Sequence, residues 1–226
     1  MAQQSLNLKT LPPLPSLKDM ALLAIKEAIL YKKLEPGVIY TEASVSSELG
    51  ISRTPVREAL IHLASRGFII YMPRKGFQIR ILMEKDVKNL FELRMALELA
   101  VIRQITPKLT EESIIKIENL FSKYTKATEA ANPIESINAD RELHLSLAHL
   151  TDNPFLINAI EEIRDLIDLA SIRSLEIEYR TTEAIKEHQE IIDMLKARSL
   201  EEALEKMEEH LRITEQRVLS RIKAVE

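Results

Sequence analysis

Apolar positions in the first third of the chain change period twice. From Leu17 they recur at helical spacing, through Met20, Ala21, Ala24, Ile25 and Ala28, as one face of a 3.6-residue repeat requires. Ser16 stands at the N-cap position with Asp19 three residues on, a capping arrangement. Pro36 and Gly37 predict the end of this helix and a turn. A short helix is expected over 42–49, with Gly50 placed to terminate it. Ser52 is expected to cap a third helix running to about Arg66, with Pro55 early in it, where a missing N–H costs little. Gly67 closes that helix. Residues 68–72 and 76–82 then read as two short strands joined by a turn through Pro73, Arg74 and Lys75.

After Leu82 the strand pattern is gone. Helices are expected near 84–106, 109–131, 134–150, 153–178, 181–197 and 199–224. Pro107, Pro133 and Pro154 mark three of the breaks, and Thr110 and Ser199 are placed as N-caps with acidic residues behind them. The expected fold is mainly α. Residues 1–15, with Pro12, Pro13 and Pro15, form an arm. Residues 16–82 form a winged helix-turn-helix of three helices and a β-hairpin wing. Residues 83–226 form an all-α antiparallel helical bundle.

Charge sharpens this division. Residues 1–80 carry 11 Lys/Arg against 6 Asp/Glu, whereas residues 81–226 carry 20 against 29. A basic first part on an acidic remainder points to a polyanion as partner of the first part alone. With no cysteine in the chain, disulfides, thiolate metal sites and thiol catalysis are excluded. No apolar run approaches the roughly 20 residues of a membrane helix, and the N-terminus lacks the basic-then-apolar order of a signal peptide. The expected compartment is the cytoplasm.

The third helix has the make-up needed to enter a major groove. Val56, Ala59, Leu60 and Leu63 form an inner face, while Arg53 and Arg57, four apart, share another. Ser52 and Thr54 lie at the same end. Arginine can engage two acceptors of guanine, and hydroxyls can bind phosphate. The hairpin tip offers charge at Arg74 and Lys75 and close backbone approach at Gly76. Residues 49–60 (LGISRTPVREAL) and 63–69 (LASRGFI), with Pro36, Gly37 and Glu42 upstream, resemble the signature of GntR-type bacterial regulators over about residues 17–80. The resemblance implies that Ser52, Arg53, Thr54 and Arg57 contact double-stranded operator DNA, assisted by Arg74, Lys75 and Gly76. The chain departs from the family in having Ala43 where an arginine is frequent.

Four of the five histidines fall in the second part. Asp140 and His144 are four apart on one expected helix and so share a face. His188 and His210 lie on two others. A bundle can point this aspartate and these histidines inward as metal ligands. Each histidine alone fits a surface or satisfied core role better than a ligand role, and the Asp140/His144 pair also fits a simple helix ion pair. His149, five residues after His144, points away from it, and His62 in the third helix reads as a phosphate neighbour.

The second part resembles the FCD ligand-binding domain of the FadR-like branch over about residues 86–215. Metal-binding members carry Asp-x-x-x-His, then a His after an acidic residue, then a His in the final helix; here Asp140, His144, His188 and His210 fill those positions. The resemblance implies a divalent transition metal (Zn, Ni, Mn or Fe) and a small organic-acid effector. The turn at Asn153 and Arg94 also look like the family, and both are expected at the effector. The functional expectation is a homodimeric, sequence-specific transcription regulator, a repressor, and not an enzyme. The alternative is a metal-dependent hydrolase using the Asp/His3 set, against which stands the lack of HExxH, of a phosphate-cradling glycine loop and of a Ser-His-Asp arrangement.

Overall fold

The computed structural model describes residues 15–130, 133–172 and 181–225. Most of the expected N-terminal arm and residues 173–178 of one expected helix lie outside them. Three helices, α1 (Leu17–Leu30), α2 (Glu42–Leu49) and α3 (Arg53–Ser65), precede a hairpin of β1 (Ile69–Met72) and β2 (Gly76–Ile79). The strands are antiparallel, with Ile69 opposite Ile79 and Met72 opposite Gly76. Six helices follow among the described residues: α4 (Glu84–Ile105), α5 (Glu111–Glu129), α6 (Pro133–His149), α7 (Pro154–Ile172), α8 (Thr181–Lys196) and α9 (Leu200–Val225). The helices α5 and α6, α6 and α7, and α8 and α9 pack against one another. The links between the first two pairs and between α8 and α9 span only a few residues, which makes the partners antiparallel neighbours.

Local chemistry explains the boundaries. The Ser16 hydroxyl accepts from the Asp19 amide, and Thr110 and Ser113 form a reciprocal capping box at α5. The first helix stops earlier than Pro36 suggests. Lys32 turns left-handed, its amide donates to Ile29 O at 3.1 Å, and the Lys33 amide donates to Ala28 O at 2.9 Å, the paired bonds of a Schellman end. Gly50 and Gly67 end α2 and α3 with the same bonds, Ile51 N to Ser46 O and Phe68 N to Leu63 O. The second strand also stops short of the expected 82: after the Arg80 amide donates to Phe68 O at 2.9 Å, the chain leaves the hairpin to start α4.

The two parts share a core. Val56, Ala59, Leu60 and Leu63 of α3, with Ala21, Ile25 and Ile29 of α1, bury against Phe68, Phe77 and Ile79. The same cluster continues through Leu82, Val87 and Phe91 into Ile163 and Ile167 of α7 and Val218 and Ile222 of α9. A second cluster, including Ile102, Leu143, Ile160, Leu195 and Met207, fills the far end of the bundle. Lys26 of α1 meets Asp165 of α7 at 2.5 Å, and Arg66 pairs with Glu162. The boundary expected near residue 82 is therefore a change of architecture rather than a gap between cores. Among the described residues no helix is long and apolar enough to cross a membrane.

Candidate metal centre and DNA-reading face

Ser52, Arg53 and Thr54 stand exposed at the N-terminal end of α3. Ser52 occupies the N-cap position, but its side chain makes no capping bond, contrary to expectation, which leaves the hydroxyl available for a phosphate. Arg53, Arg57, Arg74, Lys75 and Gly76 line one groove of about 570 Å³ between α3 and the wing, together with Thr41, Glu42 and Tyr71. Arg57 is exposed yet engaged: its Nε and Nη2 donate to the Glu42 carboxylate at 3.0 and 2.8 Å. The Tyr71 hydroxyl donates to the same carboxylate. Burial would raise the Glu42 pKa, but its hydrogen bond from Arg57 leads and holds it below the usual range. Gly76 has a structural reason of its own. At φ +129° a Cβ there would lie 2.0 Å from Tyr40 O, where the Tyr40 and Phe77 backbones exchange bonds at 2.8 Å. Its close approach is to the protein's own backbone. His62 does not line the groove; burial and then Arg66 lower its pKa.

In the bundle, Asp140, His144, His188 and His210 each offer a ligand atom, and these atoms all lie within 4.8 Å of one another. The three imidazoles are almost wholly buried. Each Nδ1 is turned outward to an acceptor: His144 to Glu98 Oε2 at 2.6 Å, His188 to Ala184 O at 2.8 Å, and His210 to Glu187 Oε2 at 2.9 Å. A carbonyl cannot donate, and ionised carboxylates only accept, so each Nδ1 carries the proton. The three Nε2 lone pairs then face inward. His144 Nε2 and His188 Nε2 stand 3.2 Å apart, Asp140 Oδ1 is 3.0 Å from His188 Nε2, and His210 Nε2 is buried with no hydrogen-bond partner. None of these four groups has a proton to donate to another, Arg94 Nη2 only approaches His144 Nε2 at 3.5 Å, and Arg164 pairs with Asp140 from outside. Such a centre is one a cation would satisfy, and the outer acceptors are the supports metal-bound histidines use. The residues fit a divalent metal.

Electrostatics keeps His144, His210 and Asp140 in the protonation states that a cation site would need. Burial, and for His210 also the neighbouring His188, lowers the pKa of His144 to about 4 and of His210 to about 3. Burial would raise Asp140, but Arg164, His144 and His188 outweigh it and hold the carboxyl well below its usual range. Glu98 is likewise opposed by burial and held well below by His144, Arg94 and Arg164. Arg94 does both things its position allows. Its Nε donates to Glu98 at 2.9 Å, and it also lines a cavity of about 440 Å³ that opens on the cluster.

Asn153, expected at the effector, caps α7 instead. Its Oδ1 accepts from the Phe155 and Leu156 amides at 3.1 and 3.2 Å, and it does not line the cavity. His149 is exposed, as its spacing requires. The residues missed by sequence reasoning are the supports: Glu98, Arg164, Glu187 and Arg217. Arg164 pairs with Asp140 and with Glu98, and Arg217 holds Glu187 at 2.5 Å. One signal was available. Arg164 falls within the apolar stripe Ile160, Ile163 and Ile167, where an unpaired charge would be costly.

Residues 17–79 match the family described as bacterial regulatory proteins, gntR family, and residues 89–213 match the FCD domain. The chain belongs to the GntR family and carries an FCD domain. Among curated relatives, the Nta operon transcriptional regulator of Aminobacter aminovorans is 30% identical over 135 residues, which are 60% of this chain and 64% of that protein. The transcriptional repressor RspR of Escherichia coli is 27% identical over 67% of each chain. Among solved structures, E. coli McbR superposes with a TM-score of 0.81 at 22% identity, over 94% of this chain and all of that one. The metal-free FCD domain of TM0439 superposes with a TM-score of 0.52 at 22% identity, over 64% of this chain and 99% of that one. At these identities the structures establish the fold. This GntR-family chain is a DNA-binding transcription regulator.

Proposed function

We propose that this regulator is a cytoplasmic homodimeric repressor whose operator binding responds to a small organic acid held beside a divalent metal in the FCD domain. The observation that carries the metal is the convergence of three proton-free Nε2 atoms and Asp140, with His210 Nε2 buried and unpartnered. Three imidazoles and a carboxylate suit Zn²⁺, Ni²⁺, Mn²⁺ or Fe²⁺. The repressor assignment leans on RspR, and the metal on the cluster's own ligand atoms.

Asp140, His144, His188 and His210 would hold the metal, which when bound supplies a Lewis-acid position for a carboxylate oxygen. Arg94, Arg164 and Arg217 line the same cavity beside Asp140 and Asp168, and their guanidinium N–H groups are the donors an organic acid would use there. Arg164 and Arg217 also keep Asp140 and Glu187 ionised, so the ligands stay oriented. The route to DNA runs along α7. One side of this helix presents Arg164 and Asp168 to the cavity, while Glu162 and Asp165 grip Arg66 and Lys26 of the DNA-reading unit. An effector shifts operator affinity only through unequal binding to two arrangements of these elements. In the homodimer each α3 meets one half-site, roughly 34 Å from the next. Hydrolysis is disfavoured because Glu98 and Glu187 are paired with arginine and held below their ordinary range, which leaves them poor general bases.

The test is the metal content of untagged protein beside a His144→Ala/His188→Ala control. About one divalent ion per chain, lost in the control, is expected, followed by operator release on adding small carboxylates. No metal in either protein after dialysis against Zn²⁺, Ni²⁺ and Mn²⁺ would overturn the metal reading and leave DNA binding standing.

A further inference from the structure

We propose that Glu42 is a positioning residue for operator reading: it holds Arg57 so that the outer edge of the guanidinium reads a guanine instead of neutralising a phosphate. The proposal rests on the DNA-binding reading of the chain and goes beyond it. Arg57 donates from Nε at 3.0 and 3.1 Å to the two Glu42 oxygens and from Nη2 at 2.8 Å to Oε2. That side-on pair uses the inner edge. Nη1 and the second hydrogen of Nη2 remain as an outer fork, the arrangement that matches O6 and N7 of guanine. The side chain is 58% exposed, so the fork is accessible.

Glu42 is itself fixed by three elements. It opens α2, whose N-terminus is locked by the Thr41/Ser44 capping box, and it accepts from Arg57 of α3 and from Tyr71 of the wing. The helix N-terminus also favours its charge. A carboxylate on a face that meets a polyanion is a burden for affinity, so its presence calls for another reason. Pairing removes most of the net charge Arg57 would bring to a phosphate, yet leaves two aligned donors. The attraction for phosphates is left to Arg53, Arg74 and Lys75, which line the same groove. With its guanidinium already oriented, Arg57 loses less freedom on meeting a base.

The test is binding selection from a duplex pool with a randomised core, for the wild type, Arg57→Ala, Glu42→Gln and Tyr71→Phe. Affinity for the wild-type winner is then measured across a salt series. Arg57→Ala and Glu42→Gln should erase the same guanine preference and weaken the winner at least about tenfold, a loss within the range of one bidentate base contact. The dependence on salt should stay unchanged in Arg57→Ala, which removes no phosphate contact, and Tyr71→Phe should fall between. Unaltered base preferences in Glu42→Gln would overturn the proposal. So would uniformly tighter binding of all duplexes by Glu42→Gln, with Arg57→Ala lowering the salt slope by about one, the mark of a phosphate contact. A wild type that enriches no sequence would instead overturn the sequence-specific reading itself. Tyr71→Phe leaves the carboxylate and guanidinium in place, so it reports even where a Glu42 variant loses its fold.

Discussion

Glu98 is not itself a proposed metal ligand, yet three groups depend on it. It accepts from His144 Nδ1 at 2.6 Å and from Arg94 Nε at 2.9 Å, and lies 3.4 Å from Arg164. Glu98→Gln should lower metal affinity about 10–100-fold, the usual effect of losing a histidine's outer partner, measured by chelator competition; unchanged affinity would show that His144 needs no support. The same residues set a pH response in metal-free protein. Above about pH 6.5 the His144 and His210 imidazoles are neutral in both folded and unfolded chains. Below it the unfolded chain protonates while His144 and His210 resist, down to about 4 and about 3. The unfolded state then binds more protons, so stability falls as pH falls. Glu98, Asp140 and Glu187, held below their ordinary values, act in the same direction at lower pH, and Asp168, raised by burial, opposes them. Calorimetry should show the thermal midpoint dropping from pH 6.5 to 4, with a shallower drop in His144→Ala/His210→Ala. The four members of the cluster were legible in the sequence because Asp140 and His144 share a helix face and the resemblance to the family pattern pointed to the rest. Glu98 and Glu187 were not, since which surface-type residue faces an imidazole on another helix is decided by packing.

At the scale of elements, the wing is tied to the linker before α2. Tyr40 and Phe77 exchange both backbone bonds, and their rings lie 5.8 Å apart. Gly76 allows this contact by presenting no Cβ to Tyr40 O. Gly76→Ala should therefore break the bridge and cost of the order of 1–3 kcal/mol, the range for a strained backbone residue, seen in a denaturant midpoint. Operator affinity should fall with it, because Arg74 and Lys75 sit beside the displaced residue; a neutral outcome would mean that the wing is held by other contacts. Elements were the most legible part of this chain. The apolar periods placed α2, α3 and the hairpin within a few residues, since glycines at 50 and 67 supply left-handed ends. The end of α1 was misplaced because Lys32 performs the same left-handed turn without being glycine, and nothing in its identity announces that.

At the scale of the whole molecule, the shared core is the route by which a site in the bundle would reach DNA. The change in sequence character at residue 82 suggested two separate domains, but apolar burial runs across it from Ile25 and Phe68 to Ile163, Ile167 and Val218. A shared core of this kind makes separate unfolding expensive, because either part leaving would strip apolar surface from the other. The chain should then unfold in a single calorimetric transition. Binding energy at the Asp140/His3 cluster would be felt everywhere that unfolds with it, and a cation at 100 times its dissociation constant adds about 2.7 kcal/mol. Hydrogen exchange separates the possibilities. With Zn²⁺ as probe, amides of α1 and α3 should gain protection together with those of α6, α8 and α9, although no α1 or α3 residue belongs to the cluster. Protection confined to the bundle, or a second transition that Zn²⁺ leaves in place, would show the DNA-reading unit opening on its own. Coupling would then have to pass through the Lys26–Asp165 and Arg66–Glu162 pairs, and Asp165→Asn would weaken it without touching metal affinity.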